Sequence, residues 1–533
     1  MTSNKIIISS LTFFCLLFFG CPKEPQLKDL ESFIRFKMER DNIPGLALLI
    51  IKNKNIVYEE GFGWADINKQ VRMRTVSTFC VSSIAKSFTA IAVMQLHQKG
   101  KIEIDSSINK YLPFEVIHPL YQGEEITIKQ LLTHTSSISN GPSLWRNFSD
   151  GDPKTPLEEW AQGYFISGGR FYHKEGNFER WKPGEGFLYS NGGYGLLAYL
   201  VQVVTGLPFN EYCKQNIFEP LEMSNTSFLV SEIDTNTMAA MYGFGDFIDL
   251  EKDIARKNVN VDSAIYQSKP FQLMNYSSPE LGAGGLYSSA SELANFLHFL
   301  INEDKFFSDS ILRRDVLHQM LNPNVKNDLL PPWFMDLGMG FYSMKLDNGE
   351  PVWGHTGANP GSSTYLFFNP EIKIGAIVIA NRFVDIRDLI TWVFAEAFNE
   401  LNDIPLKKLK KSWEQYSNKI NGNDRNRRIV TIQVTPTALP PNSSVYVNGN
   451  HRFLGSWISK GIPLIKKNDG SWSKRFHFFD STKIEFKVTR GSWYMQAVDN
   501  KGTDLVPYSL LVLNDTTLTI SIENWKDIYS KEK

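Results

Sequence analysis

Four cysteines in 533 residues are too few for a disulfide framework, and no pair of them has the spacing of metal ligands. Cys15 and Cys21 fall in an N-terminal stretch set apart from the rest, which leaves Cys80 and Cys213 for the folded part, where a single bridge between them stays open. Cys80 has no adjacent histidine and reads as a small apolar core residue. An excess of one charge sign is also missing, since the formal net charge is -1. That balance hides an asymmetry: 21 Lys/Arg stand against 11 Asp/Glu from Pro405 onward, and 35 against 46 before it. The basic residues of the C-terminal part are diluted among strand-like segments rather than clustered, which argues against nucleic-acid or phosphate binding. Repeats and low-complexity tracts are absent. What remains, 42% hydrophobic and 21% charged residues, is the composition of a folded, soluble protein too long for one ordinary core, so two domains are expected.

The N-terminus is more specific. Lys5 precedes an apolar run from Ile6 to Phe19, followed by Gly20, Cys21 and the polar Pro22-Lys23-Glu24-Pro25. The run is short for a bilayer span and has the layout of a secretory signal. The Gly20-Cys21 junction resembles a bacterial lipoprotein signal, which implies lipidation of Cys21, a lipid anchor in the membrane and a cell-envelope location, although Phe18 stands where such signals carry Leu. An uncleaved anchor and ordinary secretion are the competing readings, and each of them exports the body of the protein.

Hydrophobic periodicity predicts a helix from Leu30, strands at Gly45 to Lys52 and Ile56 to Gly63, and helices at Ser87 to Gln98 and Gly195 to Val204. Residues 139–183 read as a loop-rich insertion, a lid or one wall of a cleft. A helix over Ser289 to Ile301 precedes strands at Gly338 to Lys345, Tyr365 to Asn369 and Ile374 to Ala380, and a last helix at Ile386 to Leu401. Strands at both ends with helices between predict one sheet that mixes the ends of the chain, flanked by a helical subdomain. From Lys407 to Arg428 the chain is charged and polar, as a linker is. Alternating segments at Ile429 to Val434, Ser444 to Val447, Trp472 to Phe478, Lys483 to Val488 and Thr517 to Ile522 then predict an all-β sandwich. The expected layout is a signal at 1–20, a tether at 21–29, an α+β domain at 30–403, a linker at 404–428 and an immunoglobulin-like sandwich at 429–533.

Three short constellations carry chemistry. In Ser83-Ile84-Ala85-Lys86, a helix beginning at or just before Ser83 puts Ser83 and Lys86 on one face. A lysine with a lowered pKa can take the serine proton, and the helix N-terminus favours developing negative charge. Tyr189-Ser190-Asn191 sits between Pro183-Gly184 and three further glycines. A tyrosinate near an ammonium is a candidate base, and an asparagine can orient both a lysine and a substrate amide. His355-Thr356-Gly357 offers a polar pair beside a glycine that admits close approach by a ligand. Taken singly, these motifs have plain structural readings: a solvated helix start, a buried tyrosine and a satisfied histidine.

In this order the three motifs resemble the serine beta-lactamase and penicillin-binding protein superfamily, on the branch of class C beta-lactamases, D-alanyl-D-alanine carboxypeptidases and related esterases. Ile126 to Ser136 and Gly282 to Ser288 look like its framework segments. The resemblance implies Ser83 as acylated nucleophile, Lys86 and Tyr189 sharing the proton work, Asn191 positioning substrate, and the amides of Ser83 and Ala358 as oxyanion hole. It implies no metal and no organic cofactor. His355 stands where beta-lactamases usually carry Lys, and a neutral imidazole is a poorer carboxylate partner. The expected substrate is therefore an ester, amide or peptide, with a D-alanyl-D-alanine carboxypeptidase or weak beta-lactamase as the alternative. A glycan-binding surface lipoprotein with an idle hydrolase domain is the reading from another class.

Residues from about Ile429 to Asp527 resemble carbohydrate-binding module family 20, the starch-binding type, on Val445 to Asn450, Leu454 to Trp457, Asp469 to Trp472 and Ile484 to Val488. The resemblance implies an α-glucan or other polysaccharide as partner, with Trp457 stacking on a sugar face and Lys487 bonding its hydroxyls. A second stacking tryptophan is missing near Gln496; Trp493 and Tyr494 are the aromatic residues close by. Trp472 reads as core.

Overall fold

The computed structural model describes residues 27–141, 143–144, 147–174, 176–246, 248–257, 259–266, 269–302, 311–325, 329–330, 334–345, 351–399, 427–441, 443–449, 454, 462–479, 482–492 and 495–529. The expected signal, Cys21 and most of the expected linker lie outside them.

The chain opens with helix α1 (Leu27–Arg40), then β1 (Gly45–Lys52), β2 (Asn55–Asp66), β3 (Val71–Arg72) and β4 (Phe79–Ser82). Helices α2 (Ala85–Gln98), α3 (Ile128–Leu132), α4 (Leu157–Phe165) and α5 (Asn191–Thr205) follow, then α6 (Leu281–Gly284), β5 (Leu286–Ser288) and α7 (Ala290–Ile301). Strands return as β6 (Asp336–Leu337), β7 (Tyr342–Lys345), β8 (Pro351–Asn359), β9 (Ser362–Asn369) and β10 (Ile374–Ala380), ahead of α8 (Arg387–Asn399). The main sheet has the order β6-β7-β8-β9-β10-β1-β2-β3 and is antiparallel throughout. The C-terminal strands are inserted beside the N-terminal hairpin, as the distribution of strands along the chain predicts.

The central strands read as near-continuous apolar runs because both faces of the sheet are covered. On β1, Ala47, Leu49 and Ile51 enter the core shared with α2, α5 and α7, while Leu46, Leu48 and Ile50 enter a second core with α1 and α8. The helical subdomain thus packs on one face, and a two-helix layer closes the other.

The C-terminal unit is built from β11 (Arg427–Pro436), β12 (Tyr446–Gly449), β13 (Ile462–Pro463), β14 (Ile465–Lys466), β15 (Trp472–Phe479), β16 (Thr482–Thr489), β17 (Tyr508–Val512) and β18 (Thr516–Ile522). They form two four-stranded sheets, β14-β15-β11-β18 and β13-β12-β16-β17. Val430, Ile432 and Val434 from one sheet meet Val447, Ile484 and Phe486 from the other, the period-two pattern of a sandwich. Trp472 belongs to this core.

The structure sharpens three readings. Cys80 and Cys213 are both free and buried, so no bridge joins them. The stretch at 139–183 is loop-rich as expected, and within it Leu157–Phe165 forms α4, whose Trp160 and Tyr164 are fully buried. Helix α2 starts at Ala85 rather than at Ser83.

Candidate active site

Ser83 sits in the turn between β4 and α2, half-buried, with its carbonyl accepting from the Lys86 amide at 3.0 Å. The preceding Ser82 has a positive φ of 55° and is anchored by a 2.9 Å hydroxyl contact to Ser362 on β9. A non-glycine residue held there is a local strain that aims the next side chain out of the strand. The serine and lysine still meet, because Lys86 lies in the first turn of α2 and reaches back: its Nζ is 3.1 Å from Ser83 Oγ.

Lys86 is fully buried. Its Nζ donates to Asn191 Oδ1 at 2.6 Å and to the Ala283 carbonyl. That carbonyl arrives because α6 inserts between α2 and α5 at Gly282, where a Cβ would stand 2.8 Å from Thr89 Oγ1 and 2.7 Å from the Ala198 Cβ. Both partners can only accept. A neutral amine has two N–H groups and one lone pair, so with both N–H groups committed the lone pair is left for the Ser83 hydroxyl. Burial pushes the lysine well below its ordinary pKa, against the opposing field of Glu280.

Tyr189 immediately precedes the N-cap of α5. Ser190 caps that helix, its Oγ accepting from the Gly193 amide at 2.9 Å. Burial drives the Tyr189 phenol well above its ordinary pKa. The Ser83 side chain works against the rise in the Tyr189 pKa, and the Tyr189 ring lies 4.7 Å from Lys86 Nζ. The expected tyrosinate base is therefore replaced by a protonated tyrosine beside a lysine that gives up its proton easily.

The third motif lies on β8. Gly357 faces β4 so closely that a Cβ would stand 2.1 Å from the Val81 carbonyl oxygen, which places Ala358 beside the Ser83 turn. The Thr356 hydroxyl accepts from Tyr342 at 2.8 Å. His355 is buried, and its Nδ1 lies 2.7 Å from the Thr356 carbonyl. Since a carbonyl only accepts, the proton is on Nδ1 and the Nε2 lone pair is left free. Burial, and then the nearby Lys86, bring its pKa down to about 3. The position where the resemblance expects a cation thus holds an uncharged ring.

The structure brings Ser83, Lys86, Tyr189, Asn191, His355, Thr356, Gly357 and Ala358 together from three distant segments. Sequence reasoning missed Glu280, His134 and Asn140. Glu280 is buried, with its carboxyl pushed up to about 7 by burial and one carboxylate oxygen unpartnered. Nothing in its local pattern marks it, because only the fold sets it near Lys86. His134 and Asn140 flank the tyrosine loop, and His134 stands in a segment read as framework only. Among the described residues no cluster of three or more metal-ligating side chains occurs.

In the C-terminal unit, Lys487 is half-buried on β16 and donates to Gln496 at 3.2 Å. Trp457, Trp493 and Tyr494 lie outside the described residues, as does Cys21.

Comparison with known proteins agrees with this division of the chain. The family model described as beta-lactamase matches residues 30–397, and the one described as starch binding domain matches residues 428–503. Protein flp of Staphylococcus aureus (strain COL) is 25% identical over 355 residues, 66% of this chain; the match spans only 63% of that relative's length. Among solved structures, the octameric penicillin-binding protein homologue from Pyrococcus abyssi superposes with a TM-score of 0.56 at 22% identity, over 89% of this chain and 95% of that one. The D-amino acid amidase from Ochrobactrum anthropi SV3 gives 0.54 at 20% identity, over 70% and 99%.

Proposed function

Because the chain belongs to the beta-lactamase family, we propose that it is a serine hydrolase that forms an acyl-enzyme on Ser83 with an ester or amide substrate, and that its C-terminal domain binds an α-glucan. One observation carries the catalytic reading. Lys86 Nζ has two obligate acceptors on one side and Ser83 Oγ at 3.1 Å on the other, the arrangement a neutral amine needs to receive the serine proton.

In this reading Lys86 takes the proton as Ser83 Oγ attacks the carbonyl carbon. The amides of Ser83 and Ala358 hold the resulting oxyanion; each such donor is worth on the order of 10²–10³ in rate in acyl-transfer enzymes. Protonated Tyr189 passes a proton to the leaving group, and water releases the acyl group by the same relay run in reverse. His355 supplies no positive charge, so a substrate carboxylate gains nothing from it. That supports simple esters and neutral or amine-bearing amides over beta-lactams and C-terminal peptides. The amidase among the structural neighbours suggests D-amino-acid amides as a class to try.

The test is turnover of a short-chain nitrophenyl ester and a chromogenic cephalosporin by the parent chain and Ser83→Ala. We expect ester turnover that Ser83→Ala abolishes, with little cephalosporin cleavage. Turnover surviving the substitution refutes the mechanism.

The N-terminal run ending in Gly20-Cys21 supports export and lipid anchoring at Cys21. Labelled palmitate should enter the parent chain in a bacterial host and not Cys21→Ser; equal labelling would remove this assignment.

A further inference from the structure

The tyrosine of the site stands just outside a helix, where backbone is least constrained, yet its hydroxyl must meet Ser83. Two side chains from the segment after α3 hold it. The His134 carbonyl accepts from the Leu188 amide at 3.0 Å, and His134 Nδ1 accepts from the Ser190 amide at 3.0 Å. One residue therefore bonds the backbone on both sides of Tyr189. Asn140 completes the frame, its Nδ2 donating to the Tyr189 carbonyl at 2.9 Å and its Oδ1 accepting from the Asn191 amide at 2.7 Å.

The imidazole also touches the phenol directly. The ring centroids of His134 and Tyr189 are 4.4 Å apart at 34°, and Tyr194 lies 4.9 Å away on the same histidine. Because Nδ1 accepts from a backbone N–H, it carries no proton, and the ring is neutral with its hydrogen on Nε2. His134 is 4% exposed and takes a left-handed φ of 57°, a conformation that few side chains adopt and Asn adopts best after Gly. A strained, buried, neutral histidine with both its carbonyl and its ring nitrogen spent on one loop serves that loop rather than the general core.

We infer that His134 is a positioning residue for Tyr189, its Nδ1 lone pair and packed ring holding the phenol beside Ser83 and Lys86. The inference rests on the hydrolase reading and adds to it a residue that acts through Tyr189. Burial, with Lys86 and His355 next in effect, keeps the ring well below the ordinary histidine pKa, in agreement with the tautomer. A displacement of the hydroxyl by about 1 Å is enough to cost on the order of 100-fold in rate.

Three variants test this in the full-length chain. His134→Asn keeps an acceptor near the Nδ1 position and tolerates the positive φ; His134→Phe keeps the ring and loses the acceptor; His134→Ala loses both. Steady-state ester hydrolysis is measured per folded molecule, with melting temperature and near-UV circular dichroism recorded alongside. We expect kcat to fall about 30- to 100-fold in His134→Phe and more in His134→Ala, with KM within about 3-fold of the parent, while His134→Asn stays within about 5-fold in kcat. If His134→Phe is folded and keeps kcat within about 3-fold, or loses activity only through KM, the inference is overturned. Should His134→Phe not fold, the Asn and Ala variants decide: equal losses of kcat in both overturn it, and retention in Asn alone supports it. Ser83→Ala in the same assay separates the two claims, because turnover that survives it defeats the hydrolase reading whatever the His134 variants do.

Discussion

The two domains place their polar side chains differently. In the α+β domain the interior itself carries charge and dipoles: Lys86, Ser190, His134, His355 and Glu280 are all buried, and each meets a specific carbonyl, amide or charge. In the β sandwich, the cluster that joins the two sheets is built from Val430, Ile432, Val434, Val447, Ile484 and Phe486, and Lys487 reaches only a half-buried position beside Gln496. Burying a charge is costly unless the surrounding groups are arranged for it, so the first domain spends stability on shifted proton affinities. The second fills the space between its sheets with apolar side chains, and its buried Lys474, whose pKa burial lowers, faces charges of the first domain. Proton transfer needs the first arrangement; stacking and hydrogen bonding to a sugar need only the second.

The strongest way to break this contrast is to make the buried charge permanent. Lys86→Arg puts a cation there that cannot give up its proton, so ester turnover should fall by about 10³-fold or more while the chain still folds. A residual rate within about 10-fold of the parent would mean that Lys86 is not the proton acceptor. Next in size is Gly357→Ala. The added Cβ meets the Val81 carbonyl oxygen at 2.1 Å and must push β8 from β4, which should lower turnover by about 10- to 100-fold and stability by about 1–3 kcal/mol in urea unfolding. Unchanged activity there would detach the third motif from the Ser83 turn.

A subtler probe is Glu280→Gln. The carboxyl is raised by burial to about 7, from an ordinary value of about 4.3. Between those values the folded chain binds the proton more tightly than the unfolded one, so this contribution to stability is complete below about pH 4 and is lost as pH rises through 7. The glutamine has no proton to lose. Its melting temperature relative to the parent should therefore climb by a few degrees between pH 5 and pH 8 in scanning calorimetry, and a pH-independent difference would remove Glu280 from the account. The smallest effect on turnover belongs to removal of the sandwich. A chain ending before Arg427 should hydrolyse a soluble nitrophenyl ester within about 2-fold of the full chain, yet lose retention on a starch column. Equal retention would leave the C-terminal domain without a glucan role.

Legibility in the sequence followed the range of the interactions. The strands Gly45–Lys52 and Ile374–Ala380 have the expected bounds because a run buried on both faces is apolar at every position, a signal that needs no partner to be read. The Ser-x-x-Lys spacing suits a helix that begins at or just before Ser83 and the periodicity one from Ser87; the turn at Ser83 puts the start at Ala85, and Ser362 from a distant strand anchors the preceding Ser82. Helix α4 was hidden in a stretch rich in glycine and aromatic residues, where the fit of Trp160 and Tyr164 into the core decides the conformation rather than propensity. Likewise Asn140 and Glu280 carry no pattern of their own, since their partners are 51 residues away for Asn140 and on another helix for Glu280.

By itself the sequence determined the two-domain plan, the sheet that mixes both ends of the chain, and the three motifs that meet at the candidate site, because periodicity and short motifs are local in the chain. Only the tertiary structure decided the proton affinities, lowered at Lys86, raised at Tyr189 and lowered at His355. Those follow from burial and from which acceptors face each nitrogen, and both exist only once segments hundreds of residues apart have packed together.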